Sequence, residues 1–362
     1  MSEVGLRLAE LDTPVLWVDL DQMEANIKLV AETCRAAGLG WRPHTKGIKT
    51  PAIAHKMIAA GAMGVTCAKL GEAEVMAAAG ISDILIANQV VGSQKYRRLA
   101  NLCRSADVKI AVDSTATLAE LGAVATDRGV EVGILVELNS GMERGGVQPG
   151  APTLELARAV QATPGLRLDG LMSWEGHTIP IDDPAEKERA IAHSISLLTS
   201  SADLCRENGL PIAIVSCGGS GTYRFTTRQP GITEIQAGGA IFCDVMYRKR
   251  DAGTTPSLFV RSVVTSRPAP DRILCDAGWK TLPRWIAVPE AQGVSDVVDV
   301  RMSAEHGIIT LGGPNETVKV GDPLDFMVGY GDTTVCLHDQ IYGIRGGVVE
   351  AVWDVTGRGK LR

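Results

Sequence analysis

The chain has 362 residues, 45% of them hydrophobic, with a formal net charge of −6. That composition allows a large core and gives no electrostatic pull toward nucleic acid or an anionic membrane. No apolar run reaches the roughly 18 residues of a membrane span, the acidic start MSEVGLRLAELD is unlike a secretory leader, and the eight cysteines, with no C-x-x-C pair, predict reduced thiols in a cytoplasmic protein rather than a disulfide frame or zinc site.

In chain order, TPVLWVDL (13–20) reads as a strand ahead of the first helix. A β-then-α rhythm follows, in which apolar β-branched runs end in polar residues and give way to Ala/Leu/Glu-rich helical patterns. Barrel-type strands are expected near 40–46, 63–67, 83–88, 108–112, 131–138, 166–173, 211–216 and 233–237. Between them, LGEAEVMAAAG predicts a helix closed by Gly80. DSTATLAELGAVATDRG predicts one opened by Asp113 or Ser114 and closed by Gly129. Eight such units predict an α/β fold of the (β/α)₈ TIM-barrel type, with an open doubly wound sheet as the competing architecture. After about residue 255 the strand-like runs SLFVRSVVTSRP, DRILCDAG, GIITLGG and VVEAVWDV are separated by turns without long helical patterns. This predicts an antiparallel β domain at the C-terminus, with 13–20 pairing into it. The expected domains are a barrel over 21–255 and a β domain made of 1–20 and 256–362.

Barrel active sites lie at the C-terminal ends of the strands. There the sequence places Lys46, Asn88 and Gln89, the NSGMERGG segment (139–146), the WEGH segment (174–177), SCGGSGTY (216–223) and AGGAIFCD (237–244). WRPHTKGIKT gathers Arg42, His44, Lys46 and Lys49, and cations around Lys46 favour a neutral, nucleophilic amine. The plain alternative is a surface lysine. In SCGGSGTY, Gly218, Gly219 and Gly221 let backbone N–H groups converge, while Ser216, Ser220 and Thr222 add hydroxyls. Such a loop can cradle a phosphate dianion, although an ordinary βα turn would read similarly. A lysine and a phosphate cradle at one barrel mouth suggest a Schiff-base cofactor, pyridoxal 5'-phosphate.

RPHTKGIK resembles the R-P-H-x-K segment of the fold-type III pyridoxal-phosphate enzymes related to D-threonine aldolase and D-serine dehydratase, which share the alanine-racemase-like barrel. DTPVLWVDLDQMEANI, GMERGGV, VSCGGSGTY, TEIQAGGAIFCDVMY and EAVWDVTGRGK are similar to further family segments, so the resemblance spans nearly the whole chain. It implies that Lys46 holds the cofactor covalently and afterwards moves protons. It further implies that His44 and Arg42 shape the pocket, and that Arg144 faces the cofactor's phenolic oxygen. Trp174 stands where the family usually has Tyr near the pyridine nitrogen. An indole can only donate a hydrogen bond, so Trp174 either serves that nitrogen as a donor or simply packs. His177 is a candidate base. His55, His193 and His306 read as structural.

The resemblance implies a small-molecule substrate, a D-configured β-hydroxy amino acid, cleaved to glycine and an aldehyde. A D-serine or D-3-hydroxyaspartate dehydratase is the second reading. An amino-acid racemase and a non-catalytic pyridoxal-phosphate carrier follow. It also implies a homodimer. Metal-dependent members carry His and, two residues on, Asp or Cys, where this chain reads GYGDTTVCLHD. Asp332 matches the second ligand, but Tyr330 replaces the histidine. The expectation is a divalent ion, Mg²⁺ or Mn²⁺, held by Asp332, or else Tyr330 or His177 handling the hydroxyl proton without metal. His338 reads as a strand residue pointing elsewhere.

Overall fold

In the computed structural model, which describes residues 3–362, the run VLWVD forms β1 (Val15–Asp19) and leads directly into α1 (Leu20–Ala36). Parallel strands then alternate with helices. The strands are β2 (Gly40–Trp41), β3 (Val65–Cys67), β4 (Asp83–Gln89), β5 (Asp107–Val112), β6 (Val132–Glu137), β7 (Leu166–Met172), β8 (Ile214–Cys217) and β9 (Glu234–Ile235). The helices are α2 (Pro51–Ala59), α3 (Leu70–Ala78), α4 (Ser93–Leu102), α5 (Leu118–Asp127), α6 (Ala151–Ala162), α7 (Pro184–Glu207) and the short α8 (Tyr223–Thr226).

These strands form one sheet in the order β2-β9-β8-β7-β6-β5-β4-β3. A parallel bridge between His44 and Thr66 joins its two ends. The Thr45 N–H donates to Thr66 O at 2.7 Å and the Thr66 N–H to Pro43 O at 2.9 Å. The predicted eight-stranded barrel is therefore present and closed. Its first strand is shorter than the expected 40–46, because Pro43 has no N–H to give the ladder. Gly238 is required where β9 meets β2, since a Cβ there would lie 2.0 Å from His44 O.

The side-chain period of two sorts the barrel interior into layers. Leu85, Ala111, Leu135 and Met172 pack together in the middle. On the same faces toward the strand N-termini lies an ionic layer. The Arg42 Nε donates to Glu234 at 3.0 Å and Nη1 to Asp83 at 2.6 Å, and the Lys109 Nζ donates to Asp83 and Asp107 at 2.9 and 2.6 Å. Toward the strand C-termini the same faces carry Gln89, Asp113 and Glu137, with the Gln89 Nε2 donating to Glu137 at 2.6 Å and Asp113 at 3.2 Å. Asp113 therefore faces inward, and it is Ser114 that caps the turn before α5, accepting from the Ala116 N–H. Gly80 and Gly129 close α3 and α5 with positive φ, as predicted.

The remaining strands are β10 (Leu258–Ala269), β11 (Arg272–Cys275), β12 (Glu290–Ala291), β13 (Val297–Met302), β14 (Gly307–Leu311), β15 (Pro323–Met327), β16 (Gln340–Arg345) and β17 (Val348–Asp354), with two short helices, α9 (Val245–Lys249) and α10 (Gly331–Thr334). The second sheet runs β13-β14-β11-β10-β1-β16-β17, and β15 pairs with β10 and β12. Every pairing is antiparallel except β1 with β16. β1 thus sits inside this sheet, as the sequence predicts, with Leu8, Leu11, Val15, Ile344 and Val349 packed together. The sequence pattern did not single out β12, β13, β15 and β16. DVVDVRM, for one, interleaves its valines with Asp and Arg.

The chain divides into two compact units. One comprises Val30–Lys46, Ile53–Gly238 and Lys360–Arg362, and the other comprises the stretch up to Leu29, Gly47–Ala52 and Gly239–Gly359. No helix among the described residues is long and apolar enough to cross a membrane.

Candidate active site

Lys46 follows β2 at the C-terminal end of the barrel and is half-buried. Its backbone N–H donates to His44 Nδ1 at 3.3 Å, which orients that imidazole. Arg42, two residues before His44, does not reach this end. It is 1% exposed, and its guanidinium is spent on Glu234 and Asp83. Burial opposes the Arg42 charge, but the attraction of Glu234 and Asp83 outweighs it and holds the pKa above its usual value. The expectation that Arg42 acts on the field around Lys46 is corrected accordingly: its charge is balanced within the barrel's ionic layer.

The loop after β8 carries the glycines that the sequence singles out. Gly218 takes φ +78, which favours glycine. Its N–H donates to Glu175 Oε2 at 3.2 Å, and the Gly219 N–H donates to Thr222 Oγ1 at 3.1 Å. The N–H groups of Thr222 and Tyr223 both donate to Gly219 O. Ser216 Oγ accepts from the Gln236 Nε2 at 2.9 Å. The Thr222 hydroxyl turns back to donate to Glu175 at 2.8 Å.

Trp174 packs against this loop. A Cβ at Gly219 would come within 2.2 Å of Trp174 Cη2, and one at Gly176 within 2.2 Å of Nε1, so the indole is held between two glycines. This packing predicts the effect of a bulky substitution. Gly219→Leu should displace the indole and weaken pyridoxal phosphate binding by about tenfold or more, on the typical cost of overpacking. Titration of the cofactor checks this, alongside thermal unfolding to show that the barrel persists.

His177, two residues after Glu175, is exposed and lies over Gly141, whose Cβ would fall 2.7 Å from Nε2. Arg144 is largely exposed and pairs with Glu137 at 3.5 Å. Glu137 also accepts from Gln89, and Asp113 accepts from the Gly146 N–H at 3.1 Å, which fixes the loop that bears Arg144. The sequence placed Gln89 and the WEGH segment with Glu175 at the site end without giving either residue a role, and it missed Asp113 and Glu137 as inward-facing groups. Their signal was position at strand C-termini, without a motif to mark them.

In the other unit, the Tyr330 Oη donates to Asp332 Oδ2 at 2.8 Å. Burial, and next Asp332, push the Tyr330 phenol well above its usual pKa. The Tyr330 ring packs beside Tyr247 and Trp285 at 6.2 and 6.3 Å between centroids. Asp244 caps α9 through the Tyr247 N–H at 3.0 Å and accepts from the Gly331 N–H at 2.7 Å. Burial pushes its carboxyl up to about 7. Asp332 Oδ1 packs on Gly47, the residue after Lys46, where a Cβ would lie 2.1 Å away. The His338 Nε2–H donates to Thr281 O at 2.8 Å, and burial lowers its pKa. No three His, Cys, Asp or Glu side chains among the described residues cluster as a metal site.

The closed barrel with a lysine after its first strand, a glycine-rich loop after a late strand and an attached β sheet define the alanine-racemase-like class. The chain matches the family described as alanine racemase, N-terminal domain, over residues 18–245, and the putative serine dehydratase domain over 257–344. The chain belongs to this family, within its D-threonine aldolase and serine dehydratase-like group. It is 33% identical over 365 residues to a D-threonine aldolase from Arthrobacter sp., covering 100% of this chain and 96% of that one. It is also 33% identical to the 3-hydroxy-D-aspartate aldolase of Paracoccus denitrificans, covering 98% and 94% of the two chains. Its fold is similar to that of D-threonine aldolase from Filomicrobium marinum, with a TM-score of 0.97 at 34% identity over 100% of this chain and 99% of that chain.

Proposed function

We propose that this protein is a pyridoxal 5'-phosphate-dependent lyase that cleaves D-configured β-hydroxy amino acids to glycine and an aldehyde. The observation that carries the reading is full-length similarity to D-threonine and 3-hydroxy-D-aspartate aldolases, combined with Lys46 and the 216–222 loop at the same end of one barrel. The residues present fit the cofactor. The loop is crowded enough that a Cβ at Gly219 would collide with Trp174, and it turns at Gly218 with φ +78. Lys46 would hold the cofactor covalently, the 216–222 loop would receive its phosphate, and Arg144 would face its phenolic oxygen. When bound, pyridoxal phosphate supplies an electron sink for bond cleavage at the amino acid's α-carbon.

The chain's own part is positioning and proton transfer. We assign to Lys46 Nζ the shuttling of a proton at the α-carbon. The β-hydroxyl proton needs an acceptor, and Asp332 is the carboxylate we assign. Tyr330, whose phenol is a donor with its pKa pushed up, orients Asp332 and is not itself the base. His177 is the second candidate acceptor.

A resident Mg²⁺ or Mn²⁺ on Asp332 does not fit this donor set. A neutral, buried phenol is a poor ligand, and it already occupies Asp332 Oδ2. The ion is therefore left out of the proposed reaction. The dehydratase reading is kept as the second one, on the serine dehydratase domain match over 257–344. A homodimer and a cytoplasmic location complete the proposal, the latter supported by eight free cysteines. The test is a panel of D-amino acids that includes D-threonine, D-3-hydroxyaspartate and D-serine. Aldehyde with glycine supports the lyase. Keto acid with ammonia supports the dehydratase, and neither product counts against both.

A further inference from the structure

Glu175 is fully buried, at 0% exposure, yet no lysine, arginine or histidine among the described residues pairs with it. Its partners are three neutral donors. The Gly218 N–H and the Thr222 hydroxyl come from the glycine-rich loop, and the Thr226 hydroxyl comes from the last residue of α8. The distances are 3.2, 2.8 and 2.7 Å. A buried carboxylate of this kind is costly unless its hydrogen bonds are satisfied, and bonds to a charged acceptor are the stronger kind. The arrangement is therefore a built feature of the barrel.

Its position explains what it builds. Glu175 belongs to the turn after β7, while its acceptor oxygens reach across to the loop after β8. By consuming the Gly218 N–H and the Thr222 hydroxyl, it holds them on the inner side of the loop. The same turn sets the residue before Glu175, because the Trp174 indole is pinned between Gly176 and Gly219. Glu175 thus joins the two segments that flank the proposed cofactor face.

We propose that Glu175 is the positioning residue of the phosphate-binding loop: it fixes the loop in its binding shape and touches neither cofactor nor substrate. The proposal rests on the pyridoxal phosphate reading above. It distinguishes Glu175 from a general stabiliser of the fold, since a loop shaped for phosphate matters only to a ligand that carries one.

The test compares pyridoxal 5'-phosphate with pyridoxal, which forms the same bond to lysine but has no phosphate. Both are titrated into the full-length wild type, Glu175→Gln, Glu175→Ala and Thr226→Val, with the lysine-linked chromophore as readout. Glu175→Ala should weaken pyridoxal phosphate by about tenfold or more and leave pyridoxal within about twofold. Glu175→Gln keeps one acceptor and should recover part of the loss. Thr226→Val removes one donor to Glu175, together with the bond from the same hydroxyl to Thr222 O at 3.2 Å, and should give a smaller loss, confined to the phosphorylated ligand. If Glu175→Ala does not fold, Gln and Val carry the comparison. Equal losses for both ligands, or none for either, would overturn the role of Glu175. A wild type that binds pyridoxal phosphate no better than pyridoxal would overturn the phosphate-loop reading itself.

Discussion

Lys46→Ala is expected to give a folded protein with no lysine-linked pyridoxal phosphate absorbance and an activity lower by about 10²–10⁴-fold, the span typical for loss of a positioned proton-transfer group. Folding should survive because Lys46 lies past the end of β2 and is half-buried. The contacts that close the barrel there are made by its neighbours: the Thr45 N–H bonds to Thr66 O and the His44 N–H to Gln236 O. Lys46→Arg is the sharper control. It keeps the positive charge and most of the stem but cannot form the covalent bond to the cofactor. Both variants should therefore lose the chromophore, while thermal unfolding stays close to that of the wild type. A variant that retains the absorbance would move the covalent role to another lysine and end the assignment of Lys46.

Removing divalent ions should matter little, whereas altering Asp332 should matter greatly. After exhaustive chelation the wild type is expected to keep its activity within about twofold. Asp332→Asn is expected to lose about 10²–10⁴-fold, as for a missing general base. Tyr330→Phe, which removes the donor at 2.8 Å from Asp332 but not the carboxylate, should fall between them. The chemistry behind this contrast is the donor set. The family resemblance implies a His in metal-dependent members where this chain has Tyr330, and a buried phenol hydrogen-bonded to a carboxylate stays protonated. Tyr330→His restores a nitrogen ligand two residues before the carboxylate. Elemental analysis should then find bound Mn²⁺ in the variant and not in the wild type. Activity that collapses on chelation and returns with Mn²⁺ in the wild type would refute the metal-free reading.

Much of this fold was legible because several barrel strands are short apolar runs closed by polar residues. ILIANQ and ILVELN mark both the strand and its C-terminal end. Lys46 and the 216–222 loop were found by the same rule. What stayed hidden was the partner of each polar group. Arg42 and Lys46 lie four residues apart on one short segment and look alike as cations. The barrel nonetheless commits one to Glu234, nearly two hundred residues away in sequence, and leaves the other at the opposite end. Asp113 looked like a helix cap because Asp before Ser and Thr is a good cap, and only the inward face of β5 reveals its bond to the Gly146 N–H. Glu175 carried no motif, since its role depends on donors from a different strand end.

The placement of β1 has a consequence for synthesis. Val15–Asp19 finds its partners only in β10 and β16, which leave the ribosome after the whole barrel has been made. At translation rates of about 5–20 residues per second, this strand waits roughly ten seconds or more without its neighbours. Until then its unpaired edge is open to other nascent chains, and the barrel must fold with its leading segment still undocked. A product missing these first residues would face the reverse problem, with β10 and β16 left unbridged. Deletions at this end should therefore cause aggregation out of proportion to the few residues removed, and fusion partners placed there should act on yield through the folding order.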